Sequence, residues 1–224
     1  MRPHPALLSF VVSILIAAPL AAQTPAHITY TFQHPQLQPS RYTITLEENG
    51  TAHFVSQPGA AQQDDDVYPS PVNRSIRIDA TLSDNLFRYA RAHNFFATDC
   101  ARRQSRLAFT GNRTLAYVGP DGHGSCAFIW AGDPVLQRLV DQLGAVALTL
   151  EIGRRLDVEV HHDPLGLDAE LESLQDAVKD QRASDLPNIA EQLQTIADDQ
   201  QVMIRARKRA LSLLSRGESP QKSN

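Results

Sequence analysis

The stretch RYTITLEENGTAHFVS, residues 41–56, decides the fold of this chain. Apolar and polar side chains alternate from Tyr42 to Leu46, and the alternation resumes at Ala52. A period of two residues with β-branched and aromatic side chains is typical of a half-buried strand. Between the two runs lies an Asn-Gly pair at 49–50, which favours the positive φ angles of a type I′ turn. The stretch therefore predicts a β-hairpin.

The same two-residue period appears on both sides of the hairpin, within residues 28–32, 75–82 and 106–130. In the last of these segments, Gly-Pro-Asp-Gly at 119–122 has the composition of a turn. The strand after this turn carries apolar side chains on both faces around Cys126, which predicts a central position in the sheet. Together the segments predict an antiparallel sheet of about five to six strands.

Two helices are predicted to pack on this sheet. Ser83 is the expected N-cap of the first helix, which runs out near Asn94. Asp-Pro at 133–134 starts the second, because the aspartate can cap the helix and proline needs no N–H partner at its first position. Its apolar stripe continues to Leu150. The alternation at 156–160 then suggests a short edge strand.

Three further helices are expected in the C-terminal part of the chain. Apolar residues recur at steps of three and four from Leu167 to Leu214, with a break near residues 183–185. Gly217 is expected at the C′ position that ends the last helix. The predicted fold class is therefore α+β: an antiparallel sheet packed on two helices, followed by an antiparallel segment of about three helices.

The N-terminus has the layout of a secretory signal peptide. A basic start at Arg2 precedes an apolar run from Ala6 to Ala18, and small residues follow up to Ala22. The run is shorter than the roughly 20 residues that cross a bilayer, so we expect cleavage after Ala22 rather than anchoring. The expected location is periplasmic or extracellular, with no membrane span in the mature chain. The predicted organisation is a signal peptide at 1–22, a disulfide-linked α+β domain at 23–160, a helical segment at 167–217 and a disordered tail at 218–224.

Cys100 and Cys126 are the two cysteines of the chain. An even pair in a small exported domain predicts one disulfide, because the oxidising compartment favours it. The alternative is a catalytic thiol at Cys126 with His123 three residues before it.

His161, His162 and Asp163 form the densest group of metal-capable residues, with His123 as a fourth candidate. Adjacent histidines on an extended backbone point to opposite faces, which opposes their binding one ion. Glu151, Asp157 and Glu159 are the carboxylates near the predicted sheet that could carry acid–base chemistry.

The sequence contains no nucleophile elbow, phosphate-binding loop, zinc-binding His-Glu-x-x-His or Cys-x-x-Cys motif. No catalytic residue and no cofactor are therefore predicted. The alternative function is an exported hydrolase with a His/Asp site that binds a metal or activates water. A net charge of −4 provides no basic footprint, so no nucleic-acid partner is expected.

The order of a hairpin with Asn-Gly, a strand, a capped helix, Phe95-Phe96 and further strands resembles uncharacterised exported bacterial α+β domains over residues 28–155. That resemblance implies a fold and no catalytic residues.

Residues 186–214 are similar to a single HEAT-type helical repeat. The matching positions are Leu186-Pro187, Ile189 and Leu193 in the first helix, Asp198-Asp199 in the turn, and Arg205, Ala206, Ala210, Leu211 and Leu214 in the second helix. The resemblance implies that Asp199 caps the second helix, that Arg205 bonds nearby carboxylates and carbonyls, and that the segment makes protein contacts. HEAT arrays bury their core with several repeats, so a three-helix bundle docked on the sheet remains the alternative.

Charged faces in this segment suggest the function. Helix 168–181 is acidic, whereas the last helix carries Arg205, Arg207, Lys208 and Arg209. These faces either attract one another within the chain or form a surface for an acidic partner. We expect a non-catalytic exported protein that binds another protein through its C-terminal helices.

Overall fold

A computed structural model describes residues 25–59, 70–102 and 108–218 of the chain. The predicted signal peptide at 1–22 and nearly all of the predicted tail at 218–224 lie outside these ranges. Cleavage after Ala22 therefore stays a prediction.

Within the described ranges six antiparallel strands form one sheet. They are β1 (His27–Gln33), β2 (Arg41–Glu47), β3 (Thr51–Gln57), β4 (Asn73–Arg77), β5 (Asn112–Gly119) and β6 (Gly122–Phe128). Their order across the sheet is β4-β3-β2-β1-β5-β6. Alternate residues of each strand share one buried face, as Ile28, Tyr30 and Phe32 do in β1. The predicted α+β class with a five- to six-stranded antiparallel sheet is confirmed.

The hairpin of β2 and β3 is present with Leu46 paired to Ala52, but its turn is not type I′. Gly50 has a φ of 83°, whereas Asn49 is not among the residues with positive φ. The Gly50 N–H donates to Glu47 O at 3.0 Å, so a turn with one left-handed glycine joins the strands. A β-carbon on Gly50 would lie 2.9 Å from Ile78 O, which also requires glycine there.

Helix α1 (Ala80–Ala92) begins earlier than predicted, and Asp79 is its N-cap instead of Ser83. Asp79 Oδ1 accepts from the backbone N–H groups of Thr81 and Leu82 at 2.9 and 3.2 Å. Ser83 is buried inside the helix and its hydroxyl donates to carbonyls of the β2–β3 turn. The helix begins earlier because β4 ends at Arg77, which places Asp79 directly before the first helical residue, where it can act as the N-cap.

Helix α2 (Pro134–His162) is 29 residues long and corrects the predicted strand at 156–160. Asp133 is its N-cap, as predicted, with Oδ1 accepting from Val135 N at 2.7 Å. Leu156 is fully buried in this helix, one turn after buried Ile152. The alternation at 156–160 resembles a strand, but Ile152 and Leu156 pack in a second core. The second half of α2 forms this core with the C-terminal helices rather than with the sheet.

Strand β6 lies at the edge of the sheet, so the predicted central position is wrong. Ala127 is exposed on the face opposite Cys126. The residues after α1 cover the end of this edge: Ala101 bridges to Ala131, and Arg102 N donates to Trp130 O at 2.9 Å. The predicted disulfide is present between Cys100 and Cys126, with their Cα atoms 5.9 Å apart, and links this segment to β6.

The C-terminal segment consists of α3 (Gly166–Lys179), a 3-10 turn (Leu186–Ile189), α4 (Ala190–Asp198) and α5 (Ile204–Glu218). Its apolar stripes join the second half of α2 in one hydrophobic core. Gly217 lies within α5 and not at the predicted C′ position. A β-carbon there would lie 3.3 Å from Leu186 Cβ, so glycine at this position suits close packing.

Asn188 joins this segment to the sheet. Its Nδ2 donates to Arg77 O at 2.7 Å, and its Oδ1 accepts from Arg77 N at 2.9 Å. The side-chain amide thus bonds the outer edge of β4 as a neighbouring strand would. The Arg74 guanidinium also donates to Asn188 O at 2.6 Å.

Candidate functional site

The predicted metal residues belong to separate elements. His123 is exposed on β6, whereas His161 and His162 are exposed in the last turn of α2. Asp163 ends that helix, and its Oδ1 accepts from Gly166 N at 3.1 Å. In the three described ranges, no group of three or more His, Cys, Asp or Glu residues is placed to hold a metal ion.

The three carboxylates considered for acid–base chemistry have different neighbours. Glu151 is buried and its Oε1 accepts from Arg154 Nη2 at 2.6 Å. Asp157 Oδ2 accepts from Gln192 of α4 at 3.1 Å. Burial and the nearby Glu170 raise the pKa of Glu159 to about 7. Of the three, Asp157 connects α2 to α4, whereas the ion pairs of Glu151 lie within α2.

Two of the four predicted interaction residues bind the chain's own acidic helix. Arg205 Nη2 lies 2.5 Å from Asp168 Oδ2, and Arg209 Nε lies 3.0 Å from Asp168 Oδ1. Burial alone would raise the pKa of Asp168, but the two guanidinium groups hold it below its usual value. Arg207 Nε donates to Ala197 O, at the end of α4, at 3.2 Å.

Lys208 has different surroundings from these arginines. It is exposed and has no ion pair or hydrogen bond with any residue in the described ranges. Ile204 and Leu211 lie about one turn before and after it on the same side of α5, because residues three and four apart share a helix face. Their side chains are large, apolar and exposed, at 67% and 52%. We call Ile204, Lys208 and Leu211 the α5 stripe.

A cavity that the sequence did not predict lies where the end of α1 meets the start of α2, beside the disulfide. Its volume is about 220 Å³. Tyr89, His93 and Asp133 form its polar side, and the buried side chains of Phe96 and Leu136 lie behind its wall. Tyr89 and His93 are one helical turn apart, and only the tertiary fold brings Asp133 beside them.

Hydrogen bonds and stacking fix the polar side of this cavity. The Tyr89 hydroxyl donates to Asp133 Oδ2 at 2.9 Å. The rings of Tyr89 and His93 stack with centroids 3.9 Å apart and planes inclined by 11°. His93 Nδ1 lies 3.0 Å from Tyr89 O, and His93 Nε2 lies 3.9 Å from Asp133 Oδ2.

The charge state of the cavity follows from the same contacts. The Val135 N–H and, against the effect of burial, the Tyr89 hydroxyl lower the pKa of Asp133. Burial and the bond to Asp133 raise the pKa of Tyr89. Asp133 is therefore a carboxylate and Tyr89 a neutral phenol at physiological pH.

Three consecutive residues in left-handed backbone conformation line up beside the cavity. Asn94, Phe95 and Phe96 have φ values of 51°, 55° and 66°. Non-glycine residues rarely adopt this conformation, and each such residue is strained. Asn94 is of a type that tolerates positive φ, whereas two phenylalanines gave no local sign of it. The turn buries Phe96 completely in the core.

A second charged group, in the same last turn of α1, joins the helix to two turns of the sheet. The Arg91 guanidinium pairs with Glu48 and with Asp121, whose Oδ2 lies 2.7 Å from Arg91 Nε. The Tyr117 hydroxyl donates to Asp121 Oδ1 at 2.5 Å. This network ties α1 to the β2–β3 and β5–β6 turns.

No helix in the described part of the chain has both the length and the apolar character needed to cross a bilayer. No protein-family model matches the chain, and comparison with curated proteins finds no match either.

Proposed function

We propose that this chain is an exported, non-catalytic protein that binds an acidic protein partner through the α5 stripe. The exposure of Ile204 and Leu211 on either side of Lys208 carries this proposal. Single exposed apolar residues are common on protein surfaces. Here two of them flank a lysine that has no partner among the described residues, so the surface can make apolar and electrostatic contacts with the same partner. A partner segment with carboxylates beside apolar side chains has the complementary chemistry.

The contacts of α5 show which of its basic side chains are available to a partner. Arg205 and Arg209 already neutralise Asp168 on α3, so their charges stabilise the helical segment. Lys208 can therefore pair with a carboxylate of the partner, and Arg207 lies at the side of the stripe. The Cys100–Cys126 disulfide supports an oxidising compartment, because such bonds persist outside the reducing cytoplasm.

Site-specific photo-crosslinking in the native cell tests the binding proposal. A photoreactive residue at position 204 or 211 should give adducts with the same protein, and that protein should have an acidic surface segment. Lys208→Glu should abolish the adducts because it places like charges in the interface. Arg88→Glu, a charge reversal at an exposed site on α1, is the matched control and should leave them unchanged. Adducts that persist in Lys208→Glu at the level of the control would contradict the proposal.

Intact-mass analysis of the protein from the periplasm or medium tests export separately. The expected mass lacks residues 1–22. Full-length protein retained in a membrane fraction would refute the predicted cleavage without bearing on the α5 stripe.

A further inference from the structure

The cavity of Tyr89, His93 and Asp133 has no role in the proposed protein contact, and its polar atoms have an unusual composition. His93 Nδ1 lies 3.0 Å from Tyr89 O. A carbonyl oxygen can only accept, so Nδ1 carries the proton of the neutral imidazole and Nε2 holds a lone pair. Nε2 is the nitrogen near Asp133 Oδ2. In the neutral form of the ring, two acceptors therefore face each other at 3.9 Å, beyond hydrogen-bond distance.

Tyr89 organises this pair without filling the gap between its members. Its hydroxyl bonds Asp133 Oδ2, and its ring holds the imidazole plane by stacking. A carboxylate oxygen accepts more than one hydrogen bond, so Asp133 Oδ2 retains capacity for a further donor. One nitrogen atom can lie about 2.9 Å from both Oδ2 and Nε2, which is an ordinary hydrogen-bond distance.

The remaining surface of the cavity suits a cation with a carbon skeleton. Among the described residues that line it, none is Lys or Arg. The ring of Tyr89 lines the cavity and is only partly buried, and aromatic rings favour adjacent cations. At about 220 Å³ the space exceeds that of a single water molecule, about 30 Å³.

The geometry points to a binding site for a small organic cation whose ammonium group donates to Asp133 Oδ2 and His93 Nε2. The ligand's hydrocarbon part lies against the ring of Tyr89. A carboxylate or phosphate does not suit the site, because it would meet Asp133 and the imidazole lone pair. The site is independent of the α5 stripe, so either can fail while the other stands.

Titration of the full mature protein with n-butylammonium tests this site. The readout is the NMR signal of the His93 ring nitrogens in histidine-labelled protein at pH 8, which is above the ordinary pKa of imidazole. We expect a saturable shift of the Nε2 signal, because that nitrogen accepts from the ammonium group. Uncharged 1-butanol and anionic butyrate should give no saturable shift at equal concentration.

Two substitutions separate binding from stability. Asp133→Asn keeps an N-cap for α2, since asparagine caps as well as aspartate, but removes the charge. It should weaken n-butylammonium binding at least about tenfold. Asp84→Asn removes an exposed carboxylate of α1 and should leave binding unchanged, and thermal unfolding checks that both variants fold.

Three results would overturn the assignment. They are the absence of a saturable shift at about 50 mM n-butylammonium, equal binding by Asp133→Asn and Asp84→Asn, and equal shifts with 1-butanol. Titration with Zn²⁺ alone is the last arm. Stoichiometric zinc binding at His93 without any response to n-butylammonium would replace the organic cation by a metal and also overturn the proposal.

Discussion

Two features of Asp185 lower the stability of the fold: its backbone conformation and the burial of its carboxyl group. Its φ of 54° lies in the left-handed region, and its Oδ2 accepts from the Asp79 N–H at 3.3 Å. Burial and the neighbouring Asp79 carboxylate raise its pKa to about 6. Asparagine keeps an oxygen acceptor, tolerates positive φ and carries no charge. We therefore expect Asp185→Asn to stabilise the protein on the order of 1 kcal/mol at pH 7.

The pH dependence of this gain has a definite sign. A carboxyl group with a raised pKa binds more protons in the folded state than in the unfolded state. Its ionisation therefore lowers the stability of the fold as the pH rises from the ordinary pKa of aspartate to about 6. The advantage of Asp185→Asn should appear over that interval and vanish near pH 4. Urea denaturation at pH 4 and pH 7 measures it, with Asp84→Asn as control. A variant that is less stable than the native protein at pH 7 would show that the ionised carboxylate is needed.

Glu159, in the second half of α2, gives another prediction that depends on a raised pKa. Burial and Glu170 raise its pKa to about 7, against the opposing effect of Arg155. Its buried Oε2 has no hydrogen-bond partner within the described ranges. Glu159→Gln removes the charge and offers an N–H group that can approach Glu170. Denaturation at pH 8 should show a gain on the order of 1 kcal/mol that disappears below about pH 4.5. An equal gain at both pH values would attribute the effect to packing instead of charge.

At the scale of one element, α2 contains two glycines with opposite roles. Glycine weakens a helix interior by roughly 0.5–1 kcal/mol relative to alanine. At Gly144 a β-carbon would meet Tyr42 Oη at 3.9 Å, an ordinary contact. At Gly153 it would lie 2.4 Å from Cγ2 of Ile189, a fully buried β-branched side chain.

Alanine substitutions at these sites should therefore have opposite signs. We expect Gly144→Ala to stabilise the protein by roughly 0.5–1 kcal/mol, because only the helix preference changes. Gly153→Ala should destabilise it by about 1–3 kcal/mol, because Ile189 must move and with it the turn that docks on β4. Each variant is the control of the other in one denaturation series. Stabilisation by both variants would mean that helix preference outweighs tertiary packing at Gly153, and destabilisation by both would contradict the expectation for Gly144.

Local signals explain which elements could be predicted from the sequence. The β2–β3 hairpin and the Asp133 cap depend on neighbouring residues alone, and both were correct. The edge position of β6 and the length of α2 depend on distant contacts. Alternation around Leu156 resembled a strand, because a helix that contacts two cores in succession lacks one simple apolar stripe. Ser83 was mistaken for a cap because the residue types of Asp79 and Ser83 both suit that position.

The cavity shows the same division for functional residues. Tyr89 and His93 stand at a spacing that places them on one helix face, which the sequence could have indicated. Their meeting with Asp133 requires α2 to begin beside the end of α1. No local pattern encodes that approach, and the strained turn at 94–96 that accompanies it has no signature in its two phenylalanines.

For the molecule as a whole, the disulfide decides whether the edge of the sheet stays closed. It spans 26 residues and holds the segment after α1 against β6. Two backbone hydrogen bonds fix the same segment, from Gly132 N to Cys100 O at 2.8 Å and from Arg102 N to Trp130 O at 2.9 Å. These two bonds form the bridge between Ala101 and Ala131, and they still hold the segment against the edge when the covalent link is removed.

Removal of the disulfide should therefore lower global stability and open this edge first. On the chain-entropy model, closing a loop of this size stabilises a protein by about 3 kcal/mol. We expect the double variant Cys100→Ala/Cys126→Ala to lose about 2–4 kcal/mol in urea denaturation, and reductant to lower the stability of the native protein similarly. Hydrogen exchange at the Arg102 and Gly132 amides should accelerate more than at Tyr30, which lies in the interior strand β1. Uniform acceleration at all three amides would show that the disulfide acts on the entire fold. Unchanged stability would refute the stabilising role that we assign to the disulfide.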